Sequence, residues 1–398
     1  MQTLFGWTNK KKVTRADVDR KRAERRKKST EPIAVTSAKA EQAKAEQVKK
    51  DRRAPSFFER LALLWAYDVG IDLGTTNVLI YVKGKGIVLD EPGCVACNTK
   101  THEVVAVGEE ARAMIGRTPE DIEVIRSLQD GVIADYDTTE FMLRYYIKSV
   151  LPGSKIFKPR IVVCVPSGVT PVEKRAVIEA VLQTGARKTV LIEEPLAAAL
   201  GTGLDKAQAA GAMVVDIGGG TTDIAVLCPT GIVVSESLRV GGDRFDDAIV
   251  GYMKRRKKLL IGQRTAEDVK IGIGTVDRRA VGGEMIVRGR DTVSGLPKAI
   301  TITSKDVQKA LERPMNLIIE GIKDILEKTP PELVAEIVDH GIILTGGGAL
   351  LDGFDRVISR VTGIAAYIVD NPRYSVIIGT GRALKEMDKF QDSLVELQ

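Results

Sequence analysis

Two short segments of this chain place an aspartate directly before a turn of glycine and threonine. The first runs D-L-G-T-T-N from Asp72 to Asn77, and the second runs D-I-G-G-G-T-T-D from Asp216 to Asp223, 144 residues further on. Glycine lets a backbone approach a phosphate, and backbone N–H groups and threonine hydroxyls donate to phosphate oxygens. An aspartate at a strand end can hold Mg²⁺ directly or through water. One such turn is common in β-hairpins, but two copies predict a phosphate site.

Each turn lies between two apolar, β-branched runs, and a Gly-Ile-Val segment follows each copy, at residues 86–88 and 231–233. The same strand–turn–strand unit therefore occurs twice. Two similar domains that face each other would account for the repeat.

A third glycine cluster follows the apolar run at residues 342–344. Thr345 leads directly into Gly346, Gly347 and Gly348. Such a run can be an ordinary loop that enters a helix. Three consecutive glycines also indicate a backbone that approaches something flat or charged.

Strand and helix patterns alternate from Tyr67 onward, which predicts an α/β body. Helical periodicity is clearest at residues 171–184 and 304–328. Short apolar runs bounded by turns predict strands at residues 69–73, 78–82, 161–165, 190–192, 213–217, 224–227, 232–235 and 342–344.

The positive charge of the chain is concentrated at its N-terminus. Residues 1–60 contain 18 Lys and Arg against 8 Asp and Glu, whereas the whole chain carries a net charge of +6. The remaining residues are therefore net negative, which argues against a nucleic-acid-binding body and places any anionic partner near the tail. The tail has no nucleic-acid motif, and no aromatic residue is interleaved with its basic clusters between Lys10 and Phe57, so no nucleic acid is expected.

Other function classes have little support in the sequence. No apolar run approaches the roughly 20 residues that a membrane span needs, and no apolar region follows the N-terminal charges as in a secretory signal. Cys94 and Cys97 form a single C-x-x-C pair. With only His102 and His340 as further ligands, reduced thiols are favoured over a zinc site.

The two aspartate-led turns and the turn at 345–348, in this order and spacing, resemble the two phosphate loops and the adenosine loop of the actin, sugar kinase and heat-shock chaperone ATPase superfamily. Within it, the resemblance to the bacterial MreB/Mbl family covers about residues 67–390. Further segments that resemble this family lie at residues 84–88, 107–111, 130–135, 157–160, 193–195, 264–267 and 327–333.

The resemblance implies a role for each matching residue. Glu194 matches the glutamate that orients the attacking water, and Thr221 matches the threonine that contacts the same water. Asp72 and Asp216 match the acids associated with Mg²⁺. The residues implied to contact ATP are Gly74, Thr75, Thr76, Asn77, Gly218, Gly219, Gly220, Thr222, Glu267, Lys270, Gly346, Gly347 and Gly348.

Two of these assignments can be weighed from the residues alone. Glu194 precedes Pro195, so it could simply be an acid at a helix start that the helix dipole favours. Glu267 and Lys270 are three residues apart on a predicted helix, which puts both on one face and makes a shared ligand sensible.

The implied fold is α/β and bilobed, with two related actin-like domains that each hold a five-stranded mixed sheet flanked by helices. The expected boundaries are a basic disordered tail at 1–55, a membrane-binding amphipathic helix at 56–66, domain I at 67–208 plus 381–398 with a small subdomain at about 96–128, and domain II at 209–380 with a small subdomain at about 245–307.

Two segments are predicted to contact a membrane. Ser56 precedes five apolar residues that share one helical face, namely Phe57, Phe58, Leu61, Leu64 and Trp65. MreB proteins bind membranes through such a helix, an apolar loop, or both, and Ile156 and Phe157 match the loop. A basic tail adds about 1 kcal/mol of attraction to anionic lipid per charge near the surface. The alternative is that the helix packs against the body.

The resemblance implies an ATP- and Mg²⁺-dependent slow ATPase whose filaments guide cell-wall synthesis and maintain rod shape. The implied partners are other copies of the chain in protofilaments, anionic inner-membrane lipid and the cell-wall elongation machinery. The implied location is the cytoplasmic face of the cell membrane. Three alternatives stay open, namely a small-molecule kinase, a chaperone-like ATPase and a nucleotide-binding paralogue that does not hydrolyse.

Overall fold

A computed structural model describes residues 67–151, 158–204, 211–280 and 282–384. The predicted tail at 1–55, the predicted membrane helix at 56–66, the loop residues Ile156 and Phe157, and the segment at 385–398 lie outside the described residues.

The strands alternate with helices, as the sequence predicts. The strands are β1 (Asp68–Leu73), β2 (Asn77–Val82), β3 (Gly86–Pro92), β4 (Cys94–Asn98), β5 (Val104–Val107), β6 (Ile122–Arg126), β7 (Leu128–Gln129), β8 (Val132–Ile133), β9 (Arg160–Val165), β10 (Lys188–Glu193), β11 (Ala212–Ile217), β12 (Thr222–Cys228), β13 (Gly231–Leu238), β14 (Leu259–Leu260), β15 (Glu284–Asp291), β16 (Pro297–Thr303), β17 (Ile342–Thr345) and β18 (Ala366–Ile368). The α-helices are α1 (Glu109–Ala113), α2 (Tyr136–Val150), α3 (Pro171–Gln183), α4 (Glu194–Thr202), α5 (Gly242–Tyr252), α6 (Gln263–Ile273), α7 (Ser304–Lys328), α8 (Pro331–His340), α9 (Phe354–Thr362) and α10 (Ser375–Ala383).

Two five-stranded sheets repeat one topology. The first has the order β10-β9-β1-β2-β3, and the second has the order β18-β17-β11-β12-β13. In each sheet an antiparallel meander of three strands, beginning at β1 or β11, continues into two parallel strands on the other side of its first strand. The repeated strand–turn–strand unit of the sequence therefore forms the first hairpin of both sheets.

The central strands are buried because both faces of each sheet are covered. All six residues of β11 are buried, and β9 is buried from Ile161 to Val165. Strands covered on both faces are near-continuous apolar runs rather than alternating ones. The run in β11 is interrupted by Asp216, whose buried carboxylate makes it a candidate for chemistry rather than packing.

A pair of crossing helices connects the two sheets through a shared apolar core. Helices α4 and α10 pack closely, and one buried cluster combines residues of both sheets, such as Val162 and Val214, with alanines of α4. The helices approach at glycines, because a side-chain carbon on Gly201 would overlap the Ser375 carbonyl and one on Gly379 would overlap the Ala197 carbonyl. This contact tolerates no larger residue at either glycine.

The described chain divides into two compact units. One contains Val95–Ile125, where β4, β5 and β6 form a three-stranded sheet beside α1. The other contains both five-stranded sheets, their helices and a further three-stranded sheet of β14, β15 and β16. The sequence-based division into domains I and II, with small subdomains at 96–128 and 245–307, stays a prediction.

The two helices with the clearest sequence signals form with reciprocal caps at their starts. Thr170 and Glu173 form a capping box before α3, and Pro171 stands at its first turn. Thr303 and Asp306 form the equivalent box before α7. The predicted helices at 171–184 and 304–328 are thereby confirmed to within one residue.

Candidate functional site

The first predicted phosphate loop is the tight turn between β1 and β2. The strands pair in register up to Leu73 and Val78, so residues 74–76 must reverse the chain. A side-chain carbon on Gly74 would lie 2.8 Å from the Asn77 carbonyl oxygen. The Thr75 hydroxyl oxygen accepts a hydrogen bond of 3.1 Å from the Gly131 N–H, and the Asn77 side chain donates to Asp90 at 2.7 Å.

The second predicted loop is the equivalent turn between β11 and β12. Ile217 pairs with Thr222, and the Gly218 N–H donates to the Thr221 carbonyl at 2.8 Å. The Thr222 hydroxyl donates to the Val240 carbonyl at 2.6 Å, so its hydrogen already has an acceptor. Gly219, which is partly buried, and Gly220, which is buried, form the tip of this turn.

The two loops touch each other at the ends of β1 and β11. A side-chain carbon on Gly220 would lie 2.5 Å from Thr75 Oγ1, and one on Gly219 would overlap Thr76 Oγ1. Only glycine permits this approach. The structure thus brings the two threonines of loop one against the glycines of loop two, which places the N–H and hydroxyl donors of both turns in one small region.

A third element packs on loop two, and the sequence reasoning missed it. The N–H groups of Gly242 and Asp243, at the start of α5, donate to the Gly218 and Gly219 carbonyls at 3.0 and 2.8 Å. A side-chain carbon on Gly241 would lie 2.6 Å from the Gly219 oxygen. The consecutive glycines at 241–242, in a sequence that already shows three glycine-rich turns, were the available signal.

The predicted ribose- and adenine-side residues lie beside the same helix start. Lys270, on α6, donates to the Gly242 carbonyl at 3.2 Å and to the Asp246 carboxylate at 2.9 Å. Glu267 lies one turn earlier on α6 and contributes its charge to the environment of Asp246. Burial raises the pKa of Asp246 to about 6 despite the nearby Lys270 ammonium.

The third glycine cluster lies beside Asp216 and Ile217 at the end of β11. Strand β17 runs parallel to β11, and its last residue Thr345 pairs with Asp216. Gly346 has φ of +83°, and a side-chain carbon there would overlap Asp216 Oδ1. Gly348 lies equally close to the Ile217 side chain, whereas Gly347 has open space around it. The predicted adenosine loop therefore lies next to the predicted metal-associated acid.

Four carboxylates converge at this edge of the sheets. Asp216 and Asp223 are buried, while Asp72 and Glu194 are partly buried. Burial raises the pKa of Glu194 well above its ordinary value, and the charges of Asp223, Asp72 and Asp216 raise it further. Burial and the charges of Asp223 and Asp72 raise the pKa of Asp216 well above its ordinary value. Burial raises the pKa of Asp72 to about 7. Such a concentration of negative charge is typical of a site that receives a cation.

The carboxylates fit a cation that is held partly through water or phosphate oxygens. Carboxylate oxygens are the ligands that Mg²⁺ prefers, and Mg²⁺ usually keeps several waters. In the part of the chain that the structure describes, no three His, Cys, Asp or Glu side chains are grouped as ligands of one metal ion. The assignment of Asp72 and Asp216 to Mg²⁺ stays a prediction.

Two ion pairs connect the end of β6 and the residue after β7 to the first turn of α5. Arg126 donates to Asp243 at 2.7 Å, and Arg244 lies 3.5 Å from Asp130. Asp243 and Arg244 are neighbours in the chain, and their partners Arg126 and Asp130 lie four residues apart. The sequence reasoning did not find these pairs, because nothing local indicates which distant residue each charge faces.

Comparison with known proteins identifies the family. The family model described as MreB/Mbl protein matches residues 66–392. The chain is 51% identical to the cell shape-determining protein Mbl of Bacillus subtilis strain 168 over 327 residues, which cover 82% of this chain and 98% of that protein. It is 47% identical to the cell shape-determining protein MreB of Escherichia coli K12, covering 82% and 95% of the two chains. The chain belongs to the MreB/Mbl family.

Solved structures agree with this assignment. The crystal structure of MreB5 of Spiroplasma citri bound to ADP matches with a TM-score of 0.78 and 37% identity, over 82% of this chain and 98% of that one. A double helical filament of MamK matches with a TM-score of 0.69 at 23% identity, which supports the fold alone. The predicted fold class, actin-like with two five-stranded mixed sheets flanked by helices, is confirmed.

The MreB/Mbl assignment leaves the individual site residues as predictions. The structure groups both phosphate loops, the four carboxylates, the 346–348 turn and Lys270 around the ends of β1 and β11. The predicted membrane residues lie outside the described residues. Among the helices that the structure describes, none is long and apolar enough to cross a membrane.

The carboxylate cluster predicts an unusual pH dependence of stability in metal- and nucleotide-free protein. The pKa of Asp72 rises from 3.8 to about 7 on folding, and that of Asp223 rises to about 6. Between the ordinary pKa of 3.8 and these raised values, the folded state holds protons that the unfolded chain has lost. The free energy of unfolding therefore falls as pH rises through this window. Asp72→Asn is therefore expected to stabilise by on the order of 2 kcal/mol more at about pH 7.5 than at about pH 5.

Urea unfolding at the two pH values measures this difference, with Asp277→Asn as the control. Hydrogen bonding from the Arg279 N–H lowers the pKa of Asp277, with the Arg356 and Arg360 side chains acting in the same direction against burial. Asp277 is therefore ionised at both pH values, and its replacement should cost the same at each. An unfolding free energy that rises with pH across this window, with Asp72→Asn having no effect on the slope, would contradict the prediction.

Proposed function

We propose that this chain binds Mg-ATP between its two sheets, hydrolyses it slowly, and polymerises into filaments on the inner face of the cell membrane. The observation that most supports this proposal is the contact between two copies of one glycine–threonine turn, with four carboxylates around it. Crystal structures of MreB5 of Spiroplasma citri bound to ADP and to AMPPNP support the nucleotide assignment.

The phosphates would be held by the donors of both loops. Loop one contributes one glycine and loop two contributes three, and backbone N–H groups of both turns would donate to phosphate oxygens. Thr75 Oγ accepts from Gly131, which leaves the Thr75 hydroxyl hydrogen available for a phosphate oxygen. Asp72 and Asp216 would hold Mg²⁺ through water, and the ion would offset charge on the phosphates.

Hydrolysis requires a water that is oriented toward the γ-phosphorus. A bond forms between the water oxygen and phosphorus, the bond to the ADP oxygen breaks with its electron pair leaving on ADP, and one water proton is released. Glu194 would accept a hydrogen bond from this water. Burial and neighbouring charges raise the pKa of Glu194, which makes its carboxylate a stronger proton acceptor than an ordinary glutamate.

Filament formation and cell-shape control are proposed for this chain from its relatives. The most similar proteins include MreB and Mbl, whose names describe them as determining cell shape. An actin-like relative, MamK, has been solved as a double helical filament. We propose that this chain forms homopolymeric protofilaments in the cytoplasm and that these organise cell-wall synthesis together with the elongation machinery.

Attachment to the membrane is proposed from the sequence at two places. On a helix, Phe57, Phe58, Leu61, Leu64 and Trp65 would share one apolar face beside a basic tail, and Ile156 and Phe157 are two consecutive apolar residues in the sequence. Aromatic side chains favour the headgroup region, and the basic residues favour anionic lipid. Together these features would hold a filament on the inner leaflet.

Electron microscopy of the purified protein on anionic vesicles tests the proposal. Full-length protein with ATP is expected to form filaments on the lipid, and fewer without nucleotide. A chain that begins at Tyr67 and also carries Ile156→Ser and Phe157→Ser should still polymerise in solution but lose at least about 10-fold in vesicle binding. The matched control is the full-length chain with surface changes Val172→Ser and Ile271→Ser, at side chains that are 78% and 75% exposed.

Each outcome separates one part of the proposal. Vesicle binding that is unchanged by the combined deletion and substitutions would contradict the membrane assignment. ATP binding without filaments in any condition would contradict polymerisation and favour a kinase or a non-polymerising paralogue. Absence of ATP binding would contradict the assignment of the site itself.

A further inference from the structure

A fourth carboxylate of the site has no role in the mechanism so far. Asp223 is the second residue of β12, lies beside Asp216 and Ser237 in the strand register, and is only 1% exposed. A buried, charged side chain in the middle of a sheet is costly unless its oxygens have partners. Its surroundings therefore indicate what it does.

One oxygen of Asp223 connects the two halves of the duplicated fold. Asp223 Oδ1 accepts a hydrogen bond of 3.0 Å from the N–H of Ser167, which follows β9 of the first sheet. Next to it, a side-chain carbon on Gly168 would lie 3.0 Å from Ser237 Cβ of the second sheet. Asp223 thus lies where the two sheets meet, directly beside the site.

The other oxygen is available. Asp223 Oδ2 is buried and has no hydrogen-bond partner among the described residues. The Thr221 and Ser237 hydroxyls lie near enough to lower the pKa of Asp223 against the burial that raises it, yet neither completes a hydrogen bond to Oδ2. Thr221 comes directly before β12, and its hydroxyl is near enough to act on the Asp223 carboxylate two residues later.

Glu194 is near enough to Asp223 for their charges to influence each other. Apart from burial, the charge of Asp223 is the largest influence that raises the pKa of Glu194. Gly131, whose added side-chain carbon would lie 2.8 Å from Thr221 Cγ2, packs against the methyl group of Thr221. The methyl group therefore has a fixed neighbour, and the hydroxyl is left to face the carboxylates.

We propose that Asp223 is a positioning residue for ATP hydrolysis, whose Oδ2 accepts the hydroxyl hydrogen of Thr221 and so makes the Thr221 oxygen an acceptor for the attacking water. This inference rests on the proposed ATPase function. A hydroxyl has one hydrogen to donate and two lone pairs to accept with. Once its hydrogen is directed to Asp223, its oxygen can only accept. The water would then donate one hydrogen to Thr221 and the other to Glu194, which leaves a lone pair for phosphorus.

The substitution Asp223→Asn isolates this oxygen. Its amide oxygen can still accept from the Ser167 N–H, whereas an NH₂ group replaces Oδ2 and donates to Thr221 instead of accepting. Single-turnover phosphate release at saturating Mg-ATP is expected to slow by about 10- to 100-fold. The affinity for AMPPNP, measured separately by the shift in thermal unfolding midpoint, is expected to change by less than about twofold.

A double-mutant cycle tests whether Asp223 acts through Thr221. In a Thr221→Val background no hydroxyl is left to orient, so adding Asp223→Asn should slow hydrolysis by less than about twofold further. Asp223→Glu retains a carboxylate and is expected to be at least about threefold faster than Asp223→Asn. Glu236→Gln, at the neighbouring position of β13 in register with Ile224, is the matched control and should keep the wild-type rate.

The outcomes distinguish this inference from the proposed function. Wild-type hydrolysis that Glu194→Gln removes, together with an unaffected Asp223→Asn, would overturn the role of Asp223 and leave the ATPase assignment standing. An equal loss from Asp223→Asn in the Thr221→Val background would also overturn it, as would a parallel loss of AMPPNP affinity. Absence of hydrolysis in the wild type would overturn both. If Asp223→Asn does not fold, Asp223→Ala is measured in its place, with the same expected slowing.

Discussion

Glu194→Gln is expected to slow ATP hydrolysis by about 100-fold or more while leaving nucleotide affinity within about threefold. Glutamine keeps the shape of the side chain and the start of α4, but its amide is a very weak proton acceptor. The substitution also removes a partly buried carboxyl group whose pKa is raised by desolvation and by three neighbouring carboxylates. The nucleotide-free protein should therefore become more stable at neutral pH, which separates lost chemistry from lost folding.

Single-turnover phosphate release and AMPPNP binding together measure this effect. The control is Glu193→Gln at the preceding residue, which ends β10 and lies 3.4 Å from the Lys174 ammonium. It removes an acid at the same helix start, and hydrolysis should stay within about threefold of the wild type. If Glu194→Gln and Glu193→Gln behave alike, Glu194 is only a helix-start acid that the dipole favours.

Gly219→Ala is expected to weaken Mg-ATP binding by at least about 100-fold, which corresponds to about 2.7 kcal/mol. The added methyl group would overlap Thr76 Oγ1 and would lie 2.9 Å from Thr76 Cβ. The two loops would have to separate, and the donors of both turns could no longer address one phosphate group together. Isothermal titration calorimetry with AMPPNP measures the loss without hydrolysis.

Two further variants locate the cause of this effect. Gly262→Ala is the matched control, because the space around Gly262 is open to 4 Å and its backbone is extended, and binding should be unchanged. Adding Thr76→Gly to Gly219→Ala removes the atoms that the methyl group meets, so part of the affinity should return. Wild-type affinity in Gly219→Ala alone would show that the two loops do not bind a shared ligand.

Local patterns in the sequence predicted much of the fold, because the same strand–turn–strand motif occurs twice. The order Asp, Gly, Thr between two apolar runs predicted both strand–turn–strand units, since a strand, a tight turn and a second strand are formed by neighbouring residues. Helical periodicity predicted α3 and α7 for the same reason, since it relates residues three or four positions apart; the structure adds the caps at Thr170 and Thr303. The pairing of these elements into one site required the duplication as an additional clue.

Other residues could be assigned only after packing was known. Arg126 and Asp243 are 117 residues apart, and Asp223 and Ser167 are 56 apart. No periodicity relates such residues, because their contact depends on how the two sheets and α5 pack together. Thr222 shows the reverse case, since its motif predicts a phosphate contact whereas its hydroxyl donates to the Val240 carbonyl.

The sequence by itself determined the α/β class, the repeated unit, the family and the residue types that phosphate and Mg²⁺ would need, because each depends on neighbouring residues or on the order of motifs. The tertiary structure decided which groups share one site. The contact of Gly219 with Thr76, the position of α5 on loop two and the free oxygen of Asp223 all arise from packing between segments distant in the chain. Backbone approach and carboxylate burial depend on that packing, which joins residues that no local pattern in the sequence relates.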